Sequence, residues 1–396
     1  MKNQPYVILR ADIKHGEVLG GEPDAEALRD VDLTVDTATL TAGDLREVRE
    51  APDVLQAAPV MPMVLVAPLA LDTDQPPHDG TKTWGVQAVG ATESPWTGAG
   101  VTVAVLDTGI DAEHEAFRGV ELTQQDFTNE GNGDQNGHGT HCAGTIFGRD
   151  VDGVRIGVAP GVTRALVGKV LNRRGRGNTE QIARAILWAA GLRASVVSIS
   201  LGIDFPGFVD SLVNEQGMEV APATSLALSA YRDNLRLFDH LAGLVAAQSS
   251  MFGDTIVVAA AGNESKRPKY EIATAPPAAA RGFISVGALR QKAGDTLGVA
   301  DFSNTLPRLS APGVNISSAA RGGGLSVKNG TSMATPHVAG VAALWMEFIK
   351  ADNPQAGALQ LESRLLGRAT LDNIPDPADR ANAGLGLVRA PTEPRL

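Results

Sequence analysis

The 396 residues contain a single cysteine, Cys142, so no disulfide can form within the chain and the fold must rest on its packed core. That suits a reducing compartment. Long uninterrupted apolar runs are lacking too. The most apolar stretch, residues 54–71, carries Pro59, Pro62 and Pro68, each of which would break a spanning helix and remove a backbone donor, so it reads as two short buried strands. The opening "MKNQPYVILRADIKHGE" has a lysine but no apolar core of secretory length before charge resumes. A cytoplasmic location is therefore expected, with non-standard export as the other route. Basic charge is scarce: 34 Lys and Arg stand against 45 Asp and Glu, a net charge of −11, and the basic cluster "LNRRGRGN" (171–178) is short and broken by glycine. Binding of nucleic acid or an anionic membrane needs a clustered basic face, so neither partner is expected.

What is present describes a globular chain, 43% apolar and 20% charged, long enough for a large domain and a small one. Residues 1–72 alternate strand-like pieces ("PYVILRAD", "VDLTVDTATL", "PMVLVAPL") with a charged helical stretch, "TAGDLREVREAPDVL", which predicts a small α+β unit. Residues 73–82 are polar, with Pro and Gly, and read as an exposed linker. From 83 to 396, apolar strands at 100–107, 164–171, 194–202, 254–263 and 282–289 alternate with helical stretches that include 178–191 and 223–250. This is an α/β pattern: a central parallel sheet covered on both faces, with its chemistry beyond the carboxyl ends of the strands.

Four polar residues fall at such places. Asp107 ends the strand "VAVLD"; His138 stands in "GNGDQNGHGTHCAGTI"; Asn263 ends "VVAAAGN"; Ser332 sits at the helix mouth in "NGTSMATPHVAG". Each has an ordinary reading: a turn-capping Asp, an Asn serving its own turn, a helix N-cap Ser. His138 and His141, three apart, form no metal pair by pattern, because no HExxH glutamate or ligand cysteines accompany them, and no metal is expected. Taken jointly, a hydroxyl, an imidazole, a carboxylate and an amide donor are the set that acyl transfer needs.

The segments "VAVLDTGID", "GHGTHCAGT", "SLG", "AAAGN" and "GTSMATPHVAG" resemble, in order, the signatures of the subtilisin-like (subtilase) serine protease family over residues 82–390. The resemblance implies a three-layer subtilisin-like fold. It implies a serine endopeptidase with Ser332 as nucleophile, His138 as general base and then acid, Asp107 orienting it, and Asn263 with the Ser332 amide holding the oxyanion. Pro336, near the helix start, is expected to forgo few hydrogen bonds. The walls of the primary specificity pocket would be Ser200, Leu201 and Gly202 with Ala260, Ala261 and Gly262. Ala275 would lie at the floor and Glu264 at the rim, which favours Leu, Phe, Met or Tyr at P1. Gly175, Arg176 and Gly177 would be the edge strand that pairs with substrate, Arg176 reaching residues further upstream.

The partners implied are protein or peptide substrates and the chain's own N-terminal unit, which resembles the family's ferredoxin-like inhibitory propeptide and would be cut off between Leu69 and Lys82. Some sixty positions separate Gly202 from Asn263, longer than the family's spacing, so residues 203–252 form an enlarged segment near the cleft. No cofactor is expected. Calcium is the one alternative, but Ala116 stands where the family has a carboxylate, and Asp150 with Asp152 makes a thin shell. Cys142 matches a free cysteine of proteinase K-like members and reads more simply as a small buried residue.

Overall fold

A computed structural model describes residues 3–13, 31–66, 77–247 and 255–394. Strand β1 (Gln4–Ile13) is antiparallel to β2 (Val31–Leu40) on one side and β3 (Val54–Pro59) on the other, and α1 (Ala42–Glu50) lies between β2 and β3 in sequence. Thr41 and Asp44 close the start of α1 with reciprocal side-chain to backbone bonds. The sheet is apolar on both faces. Tyr6 and Ile8 pack towards Leu45 and Val48 of α1, while Val7, Leu9 and Ala58 join a separate, larger core. A strand with period-two side chains can serve two cores in this way. Within residues 1–72 the described part holds this three-stranded sheet and one helix ending at Glu50, an α+β unit; residues 14–30 and 67–72 lie outside the described residues.

After β4 (Pro62–Leu65) and the short α2 (Trp84–Ala88) comes the large body: β5 (Thr102–Asp107), β6 (Glu121–Asp126), α3 (His138–Phe147), β7 (Arg164–Lys169), β8 (Arg176–Asn178), α4 (Thr179–Gly191), β9 (Val196–Ile199), β10 (Leu201–Ile203), α5 (Phe205–Asn214), α6 (Val220–Ala247), β11 (Ile256–Ala260), β12 (Phe283–Gln291), β13 (Leu297–Val299), β14 (Leu309–Pro312), β15 (Ile316–Ala319), β16 (Leu325–Lys328) and α7 (Thr331–Asp352). The main sheet runs β13-β12-β11-β9-β5-β7-β6, with β14 beside β12, and is parallel except at β13. Its strands are buried runs such as IVVAA, because helices cover both faces. On one face α3 and α7 share a core with Val103, Val105 and Val258. On the other, α4 and α6 share one with Ala104, Leu106 and Val257.

The three-layer α/β fold with a small α+β unit in front is thus present. The N-terminal sheet sits on the α4 and α6 side. Arg49 donates to the buried carboxylate of Asp233 (2.9 Å), and Asn234 Nδ2, also buried, donates to the Pro59 carbonyl (2.8 Å). Both acceptor and donor belong to α6, which with α5 makes up the enlarged segment. Among the described residues no helix is long and apolar enough to cross a membrane.

Strand β4 does not join the N-terminal sheet. It inserts antiparallel between β8 and β10 of the large body, with Leu65 opposite Leu201, and Val64 opposite both Gly202 and Arg176. The apolar alternation of 54–71 yields two strands, as its pattern predicts, but in two different sheets.

Candidate active site

Asp107, the last residue of β5, and His138, the first of α3, are both buried; Nδ1 of the imidazole lies 2.8 Å from Asp107 Oδ1 and 2.9 Å from Oδ2. The carboxylate thereby fixes the orientation of the imidazole and turns Nε2 away from it. The approach of helix to strand requires two glycines. A β carbon on Gly139 would lie 2.2 Å from the Gly109 carbonyl oxygen, and one on Gly109, at φ 105°, would lie 2.4 Å from that of Gly133.

Asp134 locks this corner. Its carboxylate accepts from the Asn136 and Gly137 amides, from Thr140 N and Oγ1, and from Thr108 Oγ1, and so satisfies the open start of α3. Burial acts to raise its pKa, yet the bonds from Gly137, Thr140 and Asn136 together hold it below the ordinary carboxylate value. Sequence reasoning missed Asp134. The available signal was an Asp four residues before the histidine at a glycine-led helix start.

Ser332 is the second residue of α7 and fully buried; its Oγ donates to the Val66 carbonyl at 2.9 Å. Pro336, four residues on, has no N–H for the Ser332 carbonyl, and one helical bond is forgone there. That carbonyl instead accepts from Ser200 Oγ (3.3 Å) and Cys142 Sγ (3.5 Å). The proline is tolerated because two side chains replace its bond, more than because the first turn has few to lose. Asn263 Oδ1 accepts from Thr331 N and Oγ1, both at 2.9 Å, which turns the Nδ2 group the other way.

Two of the chain segments named for substrate contact, 175–177 and 201–202, flank β4. Leu65 N donates to the Gly175 carbonyl (2.8 Å); Arg176, exposed, lies opposite Val64, and Gly177 opposite Met63. A β carbon on Gly202 would stand 3.9 Å from Val66 Cγ2, so Gly202 faces the side chain whose carbonyl Ser332 holds. Leu201 is buried in β10. Ala260 and Ala261 are buried at the end of β11, and Gly262 N donates to Thr331 Oγ1. Ala275 is half-buried beside Pro276, whose carbonyl accepts from Ile203 N (3.0 Å). Glu264 is exposed and takes a bond from Asn304 Nδ2 (2.6 Å). Ser200 Oγ positions the Ser332 backbone through its bond to the Ser332 carbonyl.

Two further histidines are accounted for by burial. His141 turns Nε2 to the carbonyls of Ile316 and Ser326, away from His138, and desolvation brings its pKa down to about 3. His337 donates from Nδ1 to Met333 O, and desolvation lowers its pKa to about 4. Burial pushes the Cys142 thiol up, so it stays neutral between Asp107 and Ser332. Asp107, His138 and Cys142 are the grouping of three ligand-type atoms found among the described residues. Within it Asp107 and His138 are bonded to each other, and the thiol lies 3.7 Å from His138 Nδ1.

Comparison with known proteins gives consistent matches. A family model described as peptidase S8, subtilase family, matches residues 98–385. An intracellular serine protease of Paenibacillus polymyxa is 34% identical over 262 residues, 64% of this chain and 69% of its own. Subtilisin-like protease 7 of Trichophyton equinum is 32% identical over 295 residues, 70% of this chain and 62% of its own, so the chain spans less than two thirds of that relative's length. The crystal structure of a cold adapted subtilisin-like serine proteinase superposes with a TM-score of 0.53 and 30% identity, over 76% of this chain and 92% of that one.

Proposed function

The chain belongs to the subtilase family, and from that premise we propose that it is a serine endopeptidase working through an acyl-enzyme on Ser332. The observation that carries the reading is the 2.9 Å bond from Ser332 Oγ to the carbonyl of Val66, at the end of a strand laddered between β8 and β10. An extended peptide held by its backbone on both sides, with one carbonyl at the nucleophile, is the posture of a substrate.

Ser332 Oγ attacks the carbonyl carbon of the bound peptide while His138 Nε2 accepts its proton. Asp107 keeps the imidazole oriented through Nδ1–H and stabilises its cation. The carbonyl oxygen, now negative, is met by the Ser332 N–H at the positive end of α7 and by Asn263 Nδ2. His138 then gives the proton to the departing amine nitrogen, leaving an ester on Ser332. Water, deprotonated by His138, attacks that ester, and the proton returns to Ser332 Oγ as the acid leaves. No cofactor is needed for any of these steps.

In this reading residues 1–66 act as an inhibitory prodomain whose own strand fills the cleft, and self-cleavage falls after Val66. The window between Leu69 and Lys82 lies mostly outside the described residues, and the carbonyl at Ser332 favours a cut just ahead of it. The small walls around Gly202 suit an apolar P1 side chain. The buried, unbridged Cys142 suits a cytoplasmic setting. Incubation with a serine-directed fluorophosphonate followed by mass mapping tests the assignment: label on Ser332 supports it, and an unlabelled Ser332 in a chain freed of residues 1–66 overturns it.

A further inference from the structure

The ladder does not stop at the four residues preceding the scissile bond. Counting back from Val66 as P1, Pro62 is P5 and Met61 is P6. The Met61 amide donates to Thr179 Oγ1 at 3.1 Å, and the Met61 carbonyl accepts from Thr179 N–H at 3.1 Å, so one residue grips both backbone groups. The Pro62 carbonyl accepts from Asp204 N–H at 3.1 Å. Met61 and Met63, two apart, are fully buried in the core that holds Ile182, Leu201 and Ile203 as well as Val7, Leu9 and Ala58 of the N-terminal sheet, and Phe205 and Phe208 of α5 pack against that core.

These groups are arranged for a bound chain. Thr179 opens α4, where an N–H has no partner within the helix, and the Asn178 cap serves Gln181 instead. Thr179 is fully buried, so its two bonding groups face whatever strand occupies the cleft. Asp204 belongs to the enlarged segment. Its side chain caps α5 by accepting from Gly207 N (2.9 Å), where a β carbon would lie 2.2 Å from the carboxylate. That turn leaves the Asp204 backbone N–H directed at the strand.

We infer that the cleft reads six residues on the acyl side of the scissile bond: Thr179 and Asp204 grip the backbone at P6 and P5, and an apolar unbranched side chain is taken up at P6 as well as at P4. The substrate class is an extended peptide with apolar residues two apart, upstream of the cut. The inference rests on the function proposed above.

To test it, the full chain is incubated until its own cleavage is complete, and its active sites are counted by fluorophosphonate labelling. kcat/KM per active site is then measured on two acetylated fluorogenic peptides that share Met-Val-Leu-Val at P4 to P1, one of them extended by Met-Pro at P6 and P5. Burying the P6 methionine should favour the longer peptide about tenfold or more. Replacing that methionine by Asp should remove most of the gain, and Thr179→Val, which keeps shape but drops the hydroxyl, should narrow the gap between the two peptides. Equal rates for both peptides would overturn the six-residue reading while Ser332 still labels. If Ser332 neither labels nor cleaves, the proposed function fails and this inference with it.

Discussion

Ser332 and Val66, 266 positions apart, share a hydrogen bond of 2.9 Å, while the buried Nε2 of His138 has no hydrogen-bond partner among the described residues. Ser332 Oγ is thus engaged with a carbonyl, while the His138 ring is bonded on its Nδ1 side alone. Catalytic hydrogen bonds often tighten only as the reaction proceeds.

If these groups work as one unit, Ser332→Ala and His138→Ala should each lower peptide hydrolysis by about 10⁶, and the double variant by little more. Asn263→Ala should lower turnover by about 10²–10³ with binding nearly unchanged. Steady-state kinetics on one peptide decides, and additive losses would contradict the assigned roles.

The position of Val66 predicts Ala67 as the new N-terminus of the wild-type chain, with Ser332→Ala staying at full length. N-terminal sequencing of the active species reads this directly. Met1 on a fully active chain would contradict prodomain removal.

Arg176 lies opposite Val64, the P3 position, and is exposed. Reversing its charge in Arg176→Glu should change acidic-versus-basic preference at P3 and its neighbours by no more than about fivefold, since exposed pairs are worth at most about 1 kcal/mol. A peptide library should show P1 preference unmoved.

Acid should destabilise the fold in two stages. His141 and His337 have folded pKa values of about 3 and about 4, against 6.5 unfolded, so the unfolded state binds more protons as pH falls below 6.5 and stability declines. Asp134 is depressed from 3.8, so its contribution is complete above that value and is lost as pH falls through its folded value. Denaturant melts across this range should show both stages. Asp134→Asn should weaken the fold at pH 7 by about 1–3 kcal/mol and flatten the stage below pH 4.

Gly85 of α2 faces His337 of α7 so closely that a β carbon would lie 2.2 Å from Nε2 of a fully buried ring. Gly85→Ala should therefore lower stability by about 1–3 kcal/mol through overpacking, measured by the shift in a denaturation midpoint. An unchanged midpoint would mean that the ring has room to move.

The sheet was legible wherever strands are buried on both faces: residues 100–107, 164–171 and 282–289 are continuous apolar runs and became β5, β7 and β12. Strand β6, "ELTQQD", was not, because at the sheet's edge its side chains are half exposed and carry no apolar signal. Helix α5, "FPGFVDSLVN", begins with a proline near its first position and has only one buried residue, so its sequence marks it weakly. Asp107, His138 and Ser332 stand at the strand end and helix starts that their local sequence marks. Asp134 and the bond from Ser200 to the Ser332 carbonyl were not legible, since a satisfied cap and a long-range backbone contact leave no local pattern. The partner of β4 was hidden for the same reason: alternation declares a strand but never names its neighbours.

Strands β3 and β4 are nearly consecutive, yet one docks on α6 and the other lies between β8 and β10, the cleft of the proposed function. While the bond after Val66 is intact, cleft and strand belong to one molecule, and occupancy of the cleft is independent of protein concentration. Once that bond is cut, the same contacts join two molecules and their association follows mass action. Activity per molecule should then rise as the preparation is diluted and fall as it is concentrated. If the N-terminal unit inhibits as proposed, a single batch would then be silent when crowded and active when spread thin, with no further covalent change.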